Sequence, residues 1–318
     1  MGRRPLLASA ALSPFLSLAA RVPAFASVVP VGYPALVEVS SDAAYRYIHC
    51  NGIPQHGVGV FPNAENPNAI APQNYTFRVL LRPEPGPTYT PLGMHPFGVA
   101  VNGVPFDPLA AEWWNRDRTS GWQYEALSSA VHLGIDDNHA HVQPGGAYHY
   151  HGLPTGLMDD WPTGVHSPLV GYAADGFPIY ALYGFADGRG GPVRLLSSSY
   201  RLKSGTRPGG PGGPYDGRFT QDYEYVPGLG DLDQANGRET VTPDYPDGTY
   251  AYFLTEEWPV IPRSFRGTPV TLRGPDGGPG PRGGGPPGGG RPPRGGGGPG
   301  GFPPPPPPGG RRPPPPPR

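Results

Sequence analysis

His139-Ala140-His141-Val142-Gln143-Pro144-Gly145-Gly146-Ala147-Tyr148-His149-Tyr150-His151 puts four of the chain's nine histidines into thirteen residues. Side chains two apart on a strand share a face, so His149 and His151 point one way and Tyr148 and Tyr150 the other. His139 and His141 pair in the same manner. Pro144-Gly145-Gly146 is turn chemistry, a fixed φ followed by two residues free to take φ > 0, so the two runs are expected to fold back as a hairpin. That hairpin would gather four imidazoles on one patch. Strands lie about 4.8 Å apart and metal–imidazole bonds are about 2 Å, so the patch is close to pre-spaced for one transition-metal ion, copper or zinc. Asp137 beside the first pair completes a candidate ligand set of His139, His141, His149, His151 and Asp137, while Asp136 reads equally as a cap on its own turn.

The stretch has an echo a hundred residues on. Ile135-Asp136-Asp137-Asn138-His139-Ala140-His141 and Gly146-Ala147-Tyr148-His149-Tyr150-His151 align with Leu232-Asp233-Gln234-Ala235-Asn236-Gly237-Arg238 and Gly248-Thr249-Tyr250-Ala251-Tyr252-Phe253. Asp and Tyr recur, whereas the four histidines become Asn236, Arg238, Ala251 and Phe253. Shared positions are expected to serve the fold and the histidines to be an addition to it.

Around these segments helical periodicity is scarce, and proline and glycine interrupt the chain every ten residues or so. The runs between are β-branched and aromatic: Tyr45 to Cys50, Tyr75 to Leu81, Phe97 to Val101, Ala147 to Gly152, Pro178 to Tyr183, Gly248 to Leu254 and Pro269 to Leu272. An all-β, sandwich-like single domain with an internal pseudo-repeat of hairpins follows. Asn102-Gly103 marks a further hairpin turn, one helical turn is expected near Ala110 to Trp114, and Lys203 to Pro214 reads as a loop within the domain.

The ends differ from this body, which spans 27–272. Residues 1–26 read as an export signal, with Arg3-Arg4, an apolar stretch and Ala24-Phe25-Ala26 as a cleavage site, suiting either the general secretory or the twin-arginine route. Periplasmic, extracellular or cell-surface localisation is expected, with no transmembrane segment after cleavage. Residues 273–318 are almost wholly Gly, Pro and Arg and are expected to be disordered. Seven arginines against Asp276 make this tail basic, beside a body with 14 basic and 24 acidic residues. It suits contact with an anionic cell-surface polymer, and no specific nucleic-acid motif accompanies it. A single cysteine, Cys50, excludes an intramolecular disulfide and reads as a small buried apolar residue.

At Tyr148-His149-Tyr150-His151 the chain resembles the YHYH-domain proteins. The resemblance extends over Asn51-Gly52-Ile53-Pro54-Gln55-His56, Phe61-Pro62-Asn63-Ala64-Glu65-Asn66-Pro67-Asn68, Phe97 to Val104, Gly171 to Tyr180 and Gly248 to Phe253. It implies export and no particular activity. Many members look like Leu-Asp-x-Cys-Asn-Gly before both hairpins, where this chain has Asn138 and Ala235. The joint absence suggests that such members staple the two echoing segments with a disulfide.

The leading expectation is thus an exported metal-binding protein. A copper oxidoreductase or metal-dependent hydrolase is the enzymatic alternative and requires an open coordination position. A cell-surface interaction module without catalysis is the third class. No nucleophile elbow, H-E-x-x-H or phosphate loop is present, so no catalytic residue is assigned.

Overall fold

The computed structural model describes residues 33–272, so the export signal and the basic tail lie outside the described residues. Three strands open the fold: β1 (Val37–Ser41), β2 (Tyr45–Cys50) and β3 (Tyr75–Leu80), paired antiparallel in that order. β4 (Pro85–Pro91) pairs with the last strand, β19 (Ser264–Gly267). The remaining strands are β5 (Gly98–Ala100), β6 (Pro105–Phe106), β7 (Leu109–Trp113), β8 (Gln123–Glu125), β9 (Ala140–Val142), β10 (Tyr148–Tyr150), β11 (Gly171–Ala173), β12 (Pro178–Ala181), β13 (Tyr183–Phe185), β14 (Val193–Leu195), β15 (Tyr200–Leu202), β16 (Tyr223–Tyr225), β17 (Gly237–Thr240) and β18 (Thr249–Leu254). One short helix, Thr155–Met158, interrupts them. The body is all-β.

Eight strands form the central sheet, in the order β17-β18-β12-β11-β5-β6-β10-β9. Read inward from each margin, the order is hairpin, hairpin: β9-β10 then β6-β5 on one side, β17-β18 then β12-β11 on the other. The halves meet where β5 pairs antiparallel with β11. The internal repeat is therefore larger than the two histidine-region hairpins. Phe97 to Phe106 corresponds to Val170 to Ile179, because Gly98 faces Phe106 just as Gly171 faces Ile179. Parallel pairing repeats as well, Tyr150 with Phe106 and Tyr252 with Ile179.

Both inner hairpins turn on the same chemistry. Gly103 and Gly176 stand at φ +79° and +96°, a region costly for any side chain bearing a Cβ. Asn102 and Asp175, one residue earlier, take equivalent places. The amide of Asn102 donates to the Tyr150 hydroxyl (2.9 Å), and the Tyr252 hydroxyl donates to Asp175 (2.5 Å).

One hydrophobic cluster joins the three-stranded and eight-stranded sheets, as expected of a sandwich. It contains Ile48, Phe77 and Val79 from the smaller sheet and Val99, Phe106, Tyr148, Tyr150, Ile179 and Tyr252 from the larger, with Phe97 just before β5. β3 reads as its sequence suggests, with Tyr75, Phe77 and Val79 inward. Burying a phenylalanine-sized side chain contributes on the order of 1.5–3 kcal/mol, so these rings hold the layers together. Cys50 packs here too, its thiol 3.3 Å from the Gly103 carbonyl and pushed up to about 11 by burial.

Two expectations are corrected. Ala110 to Trp113 is not a helical turn but belongs to β7, which pairs with β8, and a single 3-10 turn, Trp114–Arg116, begins only after it; the Gln123 amide donates to the Ala110 carbonyl at 2.6 Å. Pro269 to Leu272 forms no strand; the pairing residues are Ser264–Gly267 just before it. Asn138 and Ala235 immediately precede His139 and Asn236, the equivalent left-handed residues before β9 and β17.

Candidate metal centre

The geometry starts at Asp136. Its carboxylate accepts the N–H groups of Asn138 (2.9 Å), Ala140 (3.2 Å) and Gly59 (2.9 Å) and the Tyr148 hydroxyl (2.8 Å). Asp233 does the same work in the other half, for Ala235 (2.8 Å), Gly237 (3.2 Å) and Tyr250 (2.9 Å). These shared residues serve the fold. The turn drives His139 to φ +53° and its counterpart Asn236 to +55°.

That backbone conformation decides which histidines meet. His139 does not continue the strand, so its ring leaves the face of His141, and its Nδ1 donates to the Leu153 carbonyl at 2.9 Å. Beyond the turn, β9 and β10 pair with His141 opposite His149, and His151 follows two residues later on the same face. Three imidazoles converge. Their ring centroids are 4.6, 4.7 and 4.8 Å apart, all edge to face, and one ligand atom from each lies within 4.8 Å of the others. Nε2 of His149 and Nε2 of His151 are 3.0 Å apart.

The structure thus brings three of the four expected imidazoles together. His139 lines a neighbouring cleft of about 400 Å³ with Glu65, Leu133, Leu153 and Glu256. Asp137 is exposed, with its carbonyl accepting the Thr155 hydroxyl, and it is not in the group either. Among the described residues no fourth His, Cys, Asp or Glu joins the three.

The ring nitrogens are oriented from outside. His141 Nδ1 donates to the Leu133 carbonyl at 2.8 Å, which leaves Nε2 with its lone pair. His149 Nδ1 faces the Ala147 carbonyl at 3.3 Å. His151 Nδ1 is buried, with the Pro108 backbone beside the ring. Burial lowers the pKa of His141, and burial followed by the neighbouring His149 and His141 holds His151 well below 6.5. Neutral imidazole is the form that donates to a metal.

Asn66 is a positioning residue that spacing alone did not mark. It is 3% exposed, and its amide donates to the carbonyls of Leu133 (3.1 Å) and Val142 (3.0 Å) while lying 3.2 Å from His141 Nδ1. The asparagine-rich stretch therefore ties down the margin of β9 and the acceptor of His141. His56 is a core histidine: its Nδ1 donates to Gly57, and its Nε2 accepts from the Tyr150 hydroxyl at 2.6 Å. His132 pairs with Glu65 at the surface and is not recruited.

The sequence profile of a family described as YHYH protein matches residues 76–267, more than half of the chain. No curated protein and no solved structure matches it.

Proposed function

The chain belongs to the YHYH protein family, and we propose that it is an exported protein that binds one transition-metal ion, copper or zinc, through His141, His149 and His151. The observation that carries this reading is the triangle of converging, mostly buried imidazoles. Three nitrogens each about 2.0–2.1 Å from a tetrahedral ion stand about 3.3 Å apart, close to the spacing of the His149–His151 pair. Imidazole-rich ligation suits both metals, with copper held more tightly by the same donors. Export rests on residues 1–26, and contact of the tail with an anionic surface polymer rests on its arginines. No helix of the described residues is long and apolar enough to cross a membrane.

Element analysis of protein purified without added metal tests the centre. About one equivalent is expected in the wild type and a small fraction of that in His149→Ala/His151→Ala; substoichiometric metal in both would sink the reading. Cell fractionation with and without residues 273–318 tests the tail, whose removal should release the protein from the surface.

A further inference from the structure

Resting on that metal reading, we infer that the centre keeps an exchangeable fourth coordination position for water or a small anion, because the fold withholds a fourth protein ligand. Zinc closed by four protein ligands is structural, whereas three protein ligands leave a position for an exogenous molecule. Here the histidine, cysteine and carboxylate donors that converge stop at three among the described residues. The sequence offers a fourth imidazole at the right spacing, and the backbone removes it: His139 at φ +53° turns away and is tied to Leu153. Its counterpart Asn236 holds the same left-handed conformation at +55°, so the turn, not the histidine, sets this geometry.

The rim of the site is polar. Asp107 follows β6, its N–H donating to the Tyr150 carbonyl at 2.9 Å. Its carboxylate reaches the Gln143 amide at 3.4 Å. Gln143 lies beyond His141 on β9, so these two side chains meet across β10 on the face that His149 occupies. Size follows from burial: His149 and His151 are 3% and 2% exposed and His141 is half-buried. An incoming ligand approaches past His141 and has only a few atoms.

Cobalt(II) titrated into the metal-free full chain, followed by azide, tests the inference through the visible spectrum of the bound ion. One equivalent of cobalt is expected, with a spectrum that shifts saturably on adding azide. His139→Asn, which places a residue already accommodated at Asn236, should bind the same equivalent and shift in the same way. A wild-type spectrum unmoved by azide, or a response that emerges only in His139→Asn, would overturn the open position. Failure of the wild type to take up cobalt would instead overturn the metal reading beneath it.

Discussion

Nδ1 of His141 points at a backbone carbonyl that would be loosely held without Asn66. A group that orients a metal-binding imidazole typically changes affinity 10–100-fold when removed. Asn66→Ala should therefore weaken metal binding about tenfold while leaving one equivalent bound at saturation, as read by competition with a chelator of known affinity. An unchanged affinity would reduce Asn66 to a loop residue. His166 carries a different consequence. It is buried against Tyr180, Phe185 and Phe253, and burial lowers its pKa, with Arg238 acting in the same direction and Asp244 and the Ser167 carbonyl opposing. A histidine whose pKa is lower folded than unfolded contributes stability that is present above about 6.5 and lost as pH falls toward the folded value, by up to about 1.4 kcal/mol per pH unit. The urea midpoint of metal-free protein should fall in that window, and His166→Phe should flatten part of the fall. Equal slopes in the two proteins would count against it.

At the scale of elements, much was legible and the failures share a cause. β2 and β3 were readable because alternation and β-branched content agree, and the Asn102-Gly103 and Pro144-Gly145-Gly146 turns because glycine there has φ > 0. The tyrosine–histidine alternation marks which side chains of β10 share a face, while the register of β9 against β10 comes from the pairing of His141 with His149. The place of His139 is not legible from spacing, because the strand stops at a turn that Asp136 organises and no spacing rule marks a left-handed residue. Ala110 to Trp113 misleads because its alanines favour helix while pairing with β8 prevails, and the helical turn starts only at Trp114. Asn66 lay in a stretch noted only for its resemblance, since a contact 75 residues away leaves no local pattern. The repeated inner hairpin adds a test. A Cβ at Gly176 would stand 2.5 Å from the Leu80 carbonyl oxygen, at φ +96°. Gly176→Ala should destabilise the domain by about 1–3 kcal/mol in a denaturant melt, and Gly145→Ala, which meets nothing within 4 Å, by less. Similar losses would mean that backbone strain alone, and not the approach to β3, sets the cost.

In the whole molecule, the two halves keep one scaffold and divide its chemistry. Where the first has His141, His149 and His151, the second has Arg238, Ala251 and Phe253, with the Arg238 guanidinium 5.8 Å from the Phe253 ring centroid. Yet Tyr148, Tyr150, Tyr250 and Tyr252 belong to one core, and β5–β11 pairing makes the sheet continuous across the halves. A ligand held by one half should therefore stabilise both. Zinc at a hundred times its dissociation constant adds about 2.7 kcal/mol to a state that alone binds it. If the domain opens cooperatively, amides of β17–β18 should gain hydrogen-exchange protection on zinc addition together with those of β9–β10, by up to about a hundredfold where exchange requires global opening. Protection confined to β9–β10 would show that the histidine hairpin opens alone, and that the pairing of β5 with β11 joins two units of separate stability.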